Sequence, residues 1–172
     1  MNSKHHLTIR VVLMLCALLF LSGAHAAPPP DSGLKDGAAL SDLKAAKGVF
    51  MLDVKDPGRM SHVLKVIEET HQGITKQGVK PELVVVIIGA SVAFLTKDRR
   101  GISYTDQRSV SEIQSGIGKL KKLGIKMEVC GIALRGMDLR PDALIPEVTA
   151  VGNGFISAIG YQAQGYQLVP VY

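Results

Sequence analysis

Short apolar runs alternate along this chain with longer segments whose apolar residues recur at helical spacing. Val49-Phe50-Met51-Leu52 is the first run, closed by polar residues from Asp53 onward and by the turn pair Pro57-Gly58. Over residues 59–77, Met60, Val63, Leu64, Ile67 and Ile74 fall on one stripe, which predicts a helix stopped by Gly78. Leu83-Val84-Val85-Val86-Ile87-Ile88 is continuous, β-branched and uncharged, the pattern of a parallel strand buried on both faces. Gly89-Ala90-Ser91 turns the chain, and residues 97–105 read as an exposed loop. Residues 107–123 then repeat Val110, Ile113, Ile117 and Leu120 at helical spacing, with Asp106 placed to cap the start and Gly124 to close the end. Gly116 and Gly118 weaken that helix.

Residues 125–130 predict a third strand ending at Cys130, and 131–136 and 141–144 predict short helical turns. A strand at 147–151, a helix at 153–164 and a strand at 166–171 complete the pattern. Strands alternating with helices of this length predict an α/β domain built of βαβ units. Its sheet is parallel, with helices on both faces and right-handed crossovers.

The first residues stand apart from this pattern. Lys4 and Arg10 precede an uncharged apolar run over residues 11–21, and Ser22-Gly23-Ala24-His25-Ala26 ends in an Ala-x-Ala site. This predicts a signal peptide over 1–26, cleaved between Ala26 and Ala27, and a periplasmic or secreted mature protein. The run is well short of the roughly 20 residues a spanning helix needs. Cys16 lies inside it behind Leu15, where a lipid-accepting cysteine calls for a small residue, so no lipid anchor is expected. Residues 27–46 open with Pro28-Pro29-Pro30 and read as a flexible linker with a short helix at 41–46, which leaves one domain over 47–172.

Loss of Lys4 and Arg10 with the signal lowers the formal charge from +5 to +3. The remaining bases are scattered, apart from Arg99-Arg100 in a loop and Lys119, Lys121 and Lys122 on one solvated helix face. Aromatic residues make up 5% of the chain and tryptophan is absent, so no stacking platform for nucleic acid is present. His62 and His71, nine positions apart on one helix, point to nearly opposite sides, and no metal or other cofactor is expected. Gly89 belongs to no phosphate-binding glycine motif. Ser91, in Gly89-Ala90-Ser91-Val92-Ala93, lacks the second glycine of a nucleophile elbow.

Ligands of open α/β sheets collect at the carboxyl ends of the strands. That places Asp53 and Asp56, Gly89 to Ser91, and Cys130 with Gly131 on one edge, the two acids serving best as turn residues beside Pro57-Gly58. Cys130 is the most informative of these. After signal cleavage it is the one cysteine left, and it is either buried and inert, paired between chains, or kept for reactivity. If residues 131–136 are helical, the thiol lies at a helix N-terminus whose N–H groups favour the thiolate. Gly131 then leaves room for a substrate sulfur, and Arg135 adds positive charge.

The segment Lys126-Met127-Glu128-Val129-Cys130-Gly131-Ile132-Ala133-Leu134-Arg135-Gly136 resembles the cysteine segment of the DsrE/DsrF-like sulfur-relay family. Leu144-Ile145-Pro146-Glu147-Val148, the small-residue helix after it, and Tyr161-Gln162-Ala163-Gln164-Gly165-Tyr166 are similar to that family as well. The resemblance spans about residues 47–172 and rests on the order of elements. It implies a three-layer α/β/α domain with a five-stranded, mainly parallel sheet, assembled into homo- or hetero-oligomers. It also implies sulfur carried as a persulfide on Cys130; Gly131, Arg135 and Gly89, from their places at the strand ends, are the expected binding positions. Exported relatives often carry His-Gly after the second strand, where this chain has Ile88-Gly89. The expectation is therefore a periplasmic carrier of sulfane sulfur, exchanging it with a donor and an acceptor that are proteins or small sulfur compounds. Two alternatives stay open: an oligomeric binding or assembly module with a structural cysteine, and a thiol redox sensor.

Overall fold

The computed structural model describes residues 33–172, so the signal segment, its cleavage site and the proline-rich start of the linker lie outside the described residues. In chain order the first elements are α1 (Gly37–Leu40), β1 (Ala45–Leu52), α2 (Pro57–Lys76) and β2 (Lys80–Ile87). A 3-10 segment, Gly89–Leu95, and a 3-10 turn, Tyr104–Asp106, lead into α3 (Gln107–Lys122) and β3 (Lys126–Cys130). Then follow α4 (Gly131–Gly136), a 3-10 turn at Pro141–Ala143, β4 (Thr149–Val151), α5 (Gly154–Ala163) and β5 (Gln167–Val171). The strands form one five-stranded sheet in the order β4-β3-β2-β1-β5, and every pairing is parallel.

The winding of the chain decides which helix covers which face. From β1 through β4 each strand is laid beside the last in one direction, and right-handed crossovers keep those connections on one side. The side chains of Phe50, Leu52, Val85, Ile87, Met127 and Val129 turn to that side and pack with Met60, Leu64 and Ile67 of α2 and Val110, Ile113 and Ile117 of α3. After β4 the chain crosses back over the whole sheet to place β5 beside β1, and the same handedness puts α5 on the opposite face. A smaller core lies there, made of Val49, Val84 and Val86 with Ile88, Tyr161 and Tyr166 packed against it. β2 serves both cores, which is why its apolar run is unbroken.

Several boundaries differ from expectation. β1 begins at Ala45, ahead of the apolar run, because Ala45 to Lys47 pair with Lys80 to Glu82 of β2. Backbone pairing overrides the weak strand preference of Ala-Ala-Lys-Gly. The helix expected at 41–46 is displaced by that pairing, and a four-residue helix forms instead at Gly37–Leu40. Gly89 to Ser91 opens a seven-residue 3-10 segment whose Ser91, Val92, Phe94 and Leu95 are buried. Asp106 occupies the cap position of α3 but makes no capping bond; it closes a 3-10 turn that Ser103 caps instead. Asp56 does act as a cap, accepting from the Arg59 N–H at 2.6 Å with Pro57 in the first turn of α2.

Candidate functional site

Cys130 ends β3 and is the residue from which α4 starts, with extended backbone angles and only 6% of its surface exposed. Its sulfur accepts a hydrogen bond from the Gly154 N–H at 3.3 Å. Gly154 is the first residue of α5, and an N–H at that position has no partner inside its own helix. Asn153 caps α5 by accepting from the Phe155 N–H at 2.9 Å, which leaves the Gly154 N–H to the sulfur. The helix N-terminus expected beside the thiol is therefore present, but the hydrogen bond to sulfur comes from α5, while α4 receives no side-chain cap from Cys130.

Two glycines make this approach possible. A Cβ on Gly154 would lie 2.8 Å from Cγ2 of Ile88, 3.1 Å from Cγ1 of Val86 and 3.2 Å from Cβ of Cys130. A Cβ on Gly131 would lie 2.7 Å from the Val151 carbonyl oxygen. The space at Gly131 is thus filled by the backbone of β4, so this glycine brings β4 close rather than leaving room for a substrate sulfur.

The winding also gives the site its location. The connection leaving β3 runs to the α2–α3 side of the sheet, and the connection leaving neighbouring β4 runs to the α5 side. In open parallel sheets the crevice forms where adjacent strands send their connections to opposite faces, outside their carboxyl ends. Here that point lies between Cys130 and Val151. An open groove of about 460 Å³ occupies it. Ile132 and Arg135 of α4, Val151 to Asn153 after β4, and Ile156 and Ser157 of α5 line the groove. Arg135, exposed on α4, is the charged residue of this lining.

The other positions singled out from sequence lie elsewhere. Gly89 adopts a left-handed conformation with φ +55°, and a Cβ there would lie 2.3 Å from Oδ1 of Asp53. It shapes the turn against the residue that follows β1, and the buried Oδ1 of Asp53 has no hydrogen-bond partner among the described residues. Ser91 is fully buried; its hydroxyl accepts from the Val54 N–H at 2.6 Å and donates to the Val54 carbonyl at 2.9 Å. It pins the 3-10 segment to the chain leaving β1 and is not presented to a ligand. His62 is exposed on α2 and His71 half-buried further along it.

Sequence reading missed the polar groups beneath α5. Glu128, on the same face of β3 as Cys130, accepts hydrogen bonds from the Ser157 hydroxyl and, at 2.7 Å, from the Tyr161 hydroxyl. Burial first, and the bond to Glu128 second, push the Tyr161 phenol above its ordinary range. Its ring meets Tyr166 edge to face at 5.1 Å, and the Lys126 ammonium lies 5.5 Å from the ring centre. The available signal was a carboxylate inside an otherwise apolar strand, Met127-Glu128-Val129-Cys130.

Among curated proteins, none matches this chain. Among solved structures it is similar to a protein of unknown function, MTH1491, from Methanobacterium thermoautotrophicum, with a TM-score of 0.58 and 18% identity. That match covers 73% of this chain and 99% of the other, and at this identity it shows a shared fold. The model of the DsrE/DsrF-like family matches residues 16–171, a span that takes in every strand of the sheet and the Cys130 segment. With its parallel sheet and its cysteine at the end of β3, this chain belongs to the DsrE/DsrF-like family.

Proposed function

We propose that this protein is exported and carries sulfane sulfur as a persulfide on Cys130. The observation that carries the reading is the Gly154 N–H directed at the Cys130 sulfur, at the crevice between β3 and β4. In the transfer step the Cys130 thiolate attacks the terminal sulfur of a donor persulfide or polysulfide. A new S–S bond forms on Cys130, the donor's S–S bond breaks, and the donor leaves as its thiolate with the electron pair. Attack by an acceptor thiolate on the outer sulfur repeats the exchange and regenerates Cys130, so no external oxidant or reductant is consumed. Arg135 supplies positive charge at the groove for an anionic donor or acceptor. The N–H donor serves each state in which negative charge lies on the Cys130 sulfur.

Mass spectrometry after incubation with inorganic polysulfide tests this. Wild type is expected to gain the mass of sulfur on Cys130, reversibly by a thiol reductant, and Cys130→Ser is expected to gain none. A wild-type thiol that stays unmodified with polysulfide and thiosulfate alike overturns the reading.

One observation favours a second reading. Cys130 is 6% exposed, as a packing cysteine in an assembly module is. Alkylation of Cys130 only as fast as the whole domain unfolds is the result that reading requires.

We infer further that the partner on the α5 face is a second copy of this chain. α5 carries no charged residue, and Phe155, Ile156 and Ile159 on its outer side are 57%, 67% and 65% exposed. A helix apolar on both sides is one that becomes covered. The sheet edges offer no alternative route. β4 is three residues long, and β5 carries Pro170. The Val171 carbonyl accepts from the Asp53 N–H, so Pro170, one residue back, turns its missing donor to the open edge.

A further inference from the structure

We propose that Glu128 is a positioning residue for Cys130: it holds α5 in the register that aims the Gly154 N–H at the sulfur. The inference rests on the reading of Cys130 as a reactive thiol and names the group that sets its environment.

Glu128 and Cys130 are two positions apart on β3, so their side chains leave the same face of the sheet about 7 Å apart along the strand. Met127 and Val129, between and before them, belong to the core on the other face. α5 crosses the face that Glu128 and Cys130 share and binds it through polar groups: Gly154 N–H to Cys130, Ser157 hydroxyl to Glu128 and Tyr161 hydroxyl to Glu128. Gly154, Ser157 and Tyr161 are spaced by three and four residues, so they line one side of the helix. A helix resting on apolar contacts alone can slide or roll by a fraction of a turn at little cost. One carboxylate held by two hydroxyls a turn apart restricts that freedom, because either movement breaks a bond to a half-buried acceptor.

The apolar contacts of α5 are with short branched side chains, Val49 of β1, Val84 and Val86 of β2 and Ile88 after it, together with the edge-to-face pair of Tyr161 and Tyr166, while Phe155, Ile156 and Ile159 on its outer side are mostly exposed. The glycine at position 154 adds no side chain to key the helix in place; it only permits the close approach. The charged and titratable groups on the elements packed here are Glu128 and Lys126 of β3, Lys47 of β1, Lys80 and Glu82 of β2, Tyr161 of α5, Tyr166 ahead of β5, and Arg135 of α4. Glu128 forms no ion pair within 4.0 Å among the described residues, and its side-chain partners are the two hydroxyls.

The test follows the rate of Cys130 alkylation by iodoacetamide against pH in folded protein, with thermal melts run alongside. Glu128→Ala is expected to move the pH of half-maximal rate upward by about one unit, the value of one hydrogen bond to the thiolate. The pair Ser157→Ala with Tyr161→Phe is expected to do the same, since it cuts the link from the helix side. Glu128→Gln keeps hydrogen-bonding groups for both hydroxyls and is expected to stay within about a third of a unit of wild type. If Glu128→Ala does not fold, Tyr161→Phe alone decides the matter by an upward shift. Two results overturn the proposal. One is a wild-type profile in folded Glu128→Ala or in the pair variant, which reduces Glu128 to a packing role. The other is a clear downward shift in Glu128→Gln, which shows the charge acting on the thiolate through space. Alkylation needs no sulfur donor, so failure here is separable from failure of wild type to take up sulfur.

Discussion

Ser91 shows how a residue with a catalytic look can be wholly structural. Its hydroxyl is both acceptor and donor to the backbone of Val54, and no part of it reaches solvent. Ser91→Ala leaves a buried N–H and carbonyl unpaired at once and is expected to lower stability by about 1–3 kcal/mol, read from urea unfolding. Its uptake of sulfur on Cys130 should be unchanged. Asp98 carries a different prediction. Hydrogen bonds from the Arg100 side chain and backbone hold its carboxyl at about 2, below its usual 3.8. A carboxylate whose folded value is depressed stabilises the protein above its unfolded value. That contribution fades as pH falls from about 3.8 toward about 2. Asp98 is exposed in this pairing, so the effect is small and salt-sensitive. Asp98→Asn should melt slightly below wild type near pH 6 in low salt, and the difference should close near pH 2 or in high salt.

Among the elements, α5 combines the most legible existence with the least legible placement. Its span was readable from an uninterrupted small and apolar stretch between Asn153 and Gly165, and the structure agrees to within a residue at each end. Nothing in that stretch states that its first N–H faces a cysteine 24 positions earlier. Gly154→Ala tests how tightly α5 is seated. In an isolated helix the change is favourable by about 1 kcal/mol. Here the new methyl lies 2.8 Å from Ile88 and 3.2 Å from the Cys130 Cβ, so α5 must lift. A net loss of about 1–3 kcal/mol in thermal or urea unfolding is expected, together with slower alkylation of Cys130 at neutral pH. A stabilised variant would mean that α5 adjusts freely. The 3-10 segment Gly89–Leu95 makes the complementary case. Its glycine and small residues read as a plain turn, yet Phe94 and Leu95 are buried in the main core, an outcome of packing against α3 and α4.

For the whole molecule, the apolar outer face of α5 predicts self-association. Ile156→Asp with Ile159→Asp should lower the mass measured by light scattering from that of an oligomer to that of a single chain, with the melting curve still cooperative. A wild-type protein that is monomeric at micromolar concentration would remove the second copy from the proposed function. What the sequence determined by itself was the order of the strands and the longer helices along the chain, the parallel sheet and the address of Cys130 at a strand end. Hydrophobic periodicity, β-branched runs and turn residues are local signals, and the alternation of strands with helices leaves few topologies. The strand order, β5 returning to lie beside β1, was decided only in three dimensions, and with it the split of helices between the two faces. That split opens the crevice between β3 and β4 and lays α5 over Cys130. The hydrogen bond to sulfur, the filled space at Gly131 and the Glu128 link all depend on distances between segments far apart in the chain. Such distances follow from packing the whole sheet, because no local pattern of residues encodes which helix N-terminus a thiol will meet.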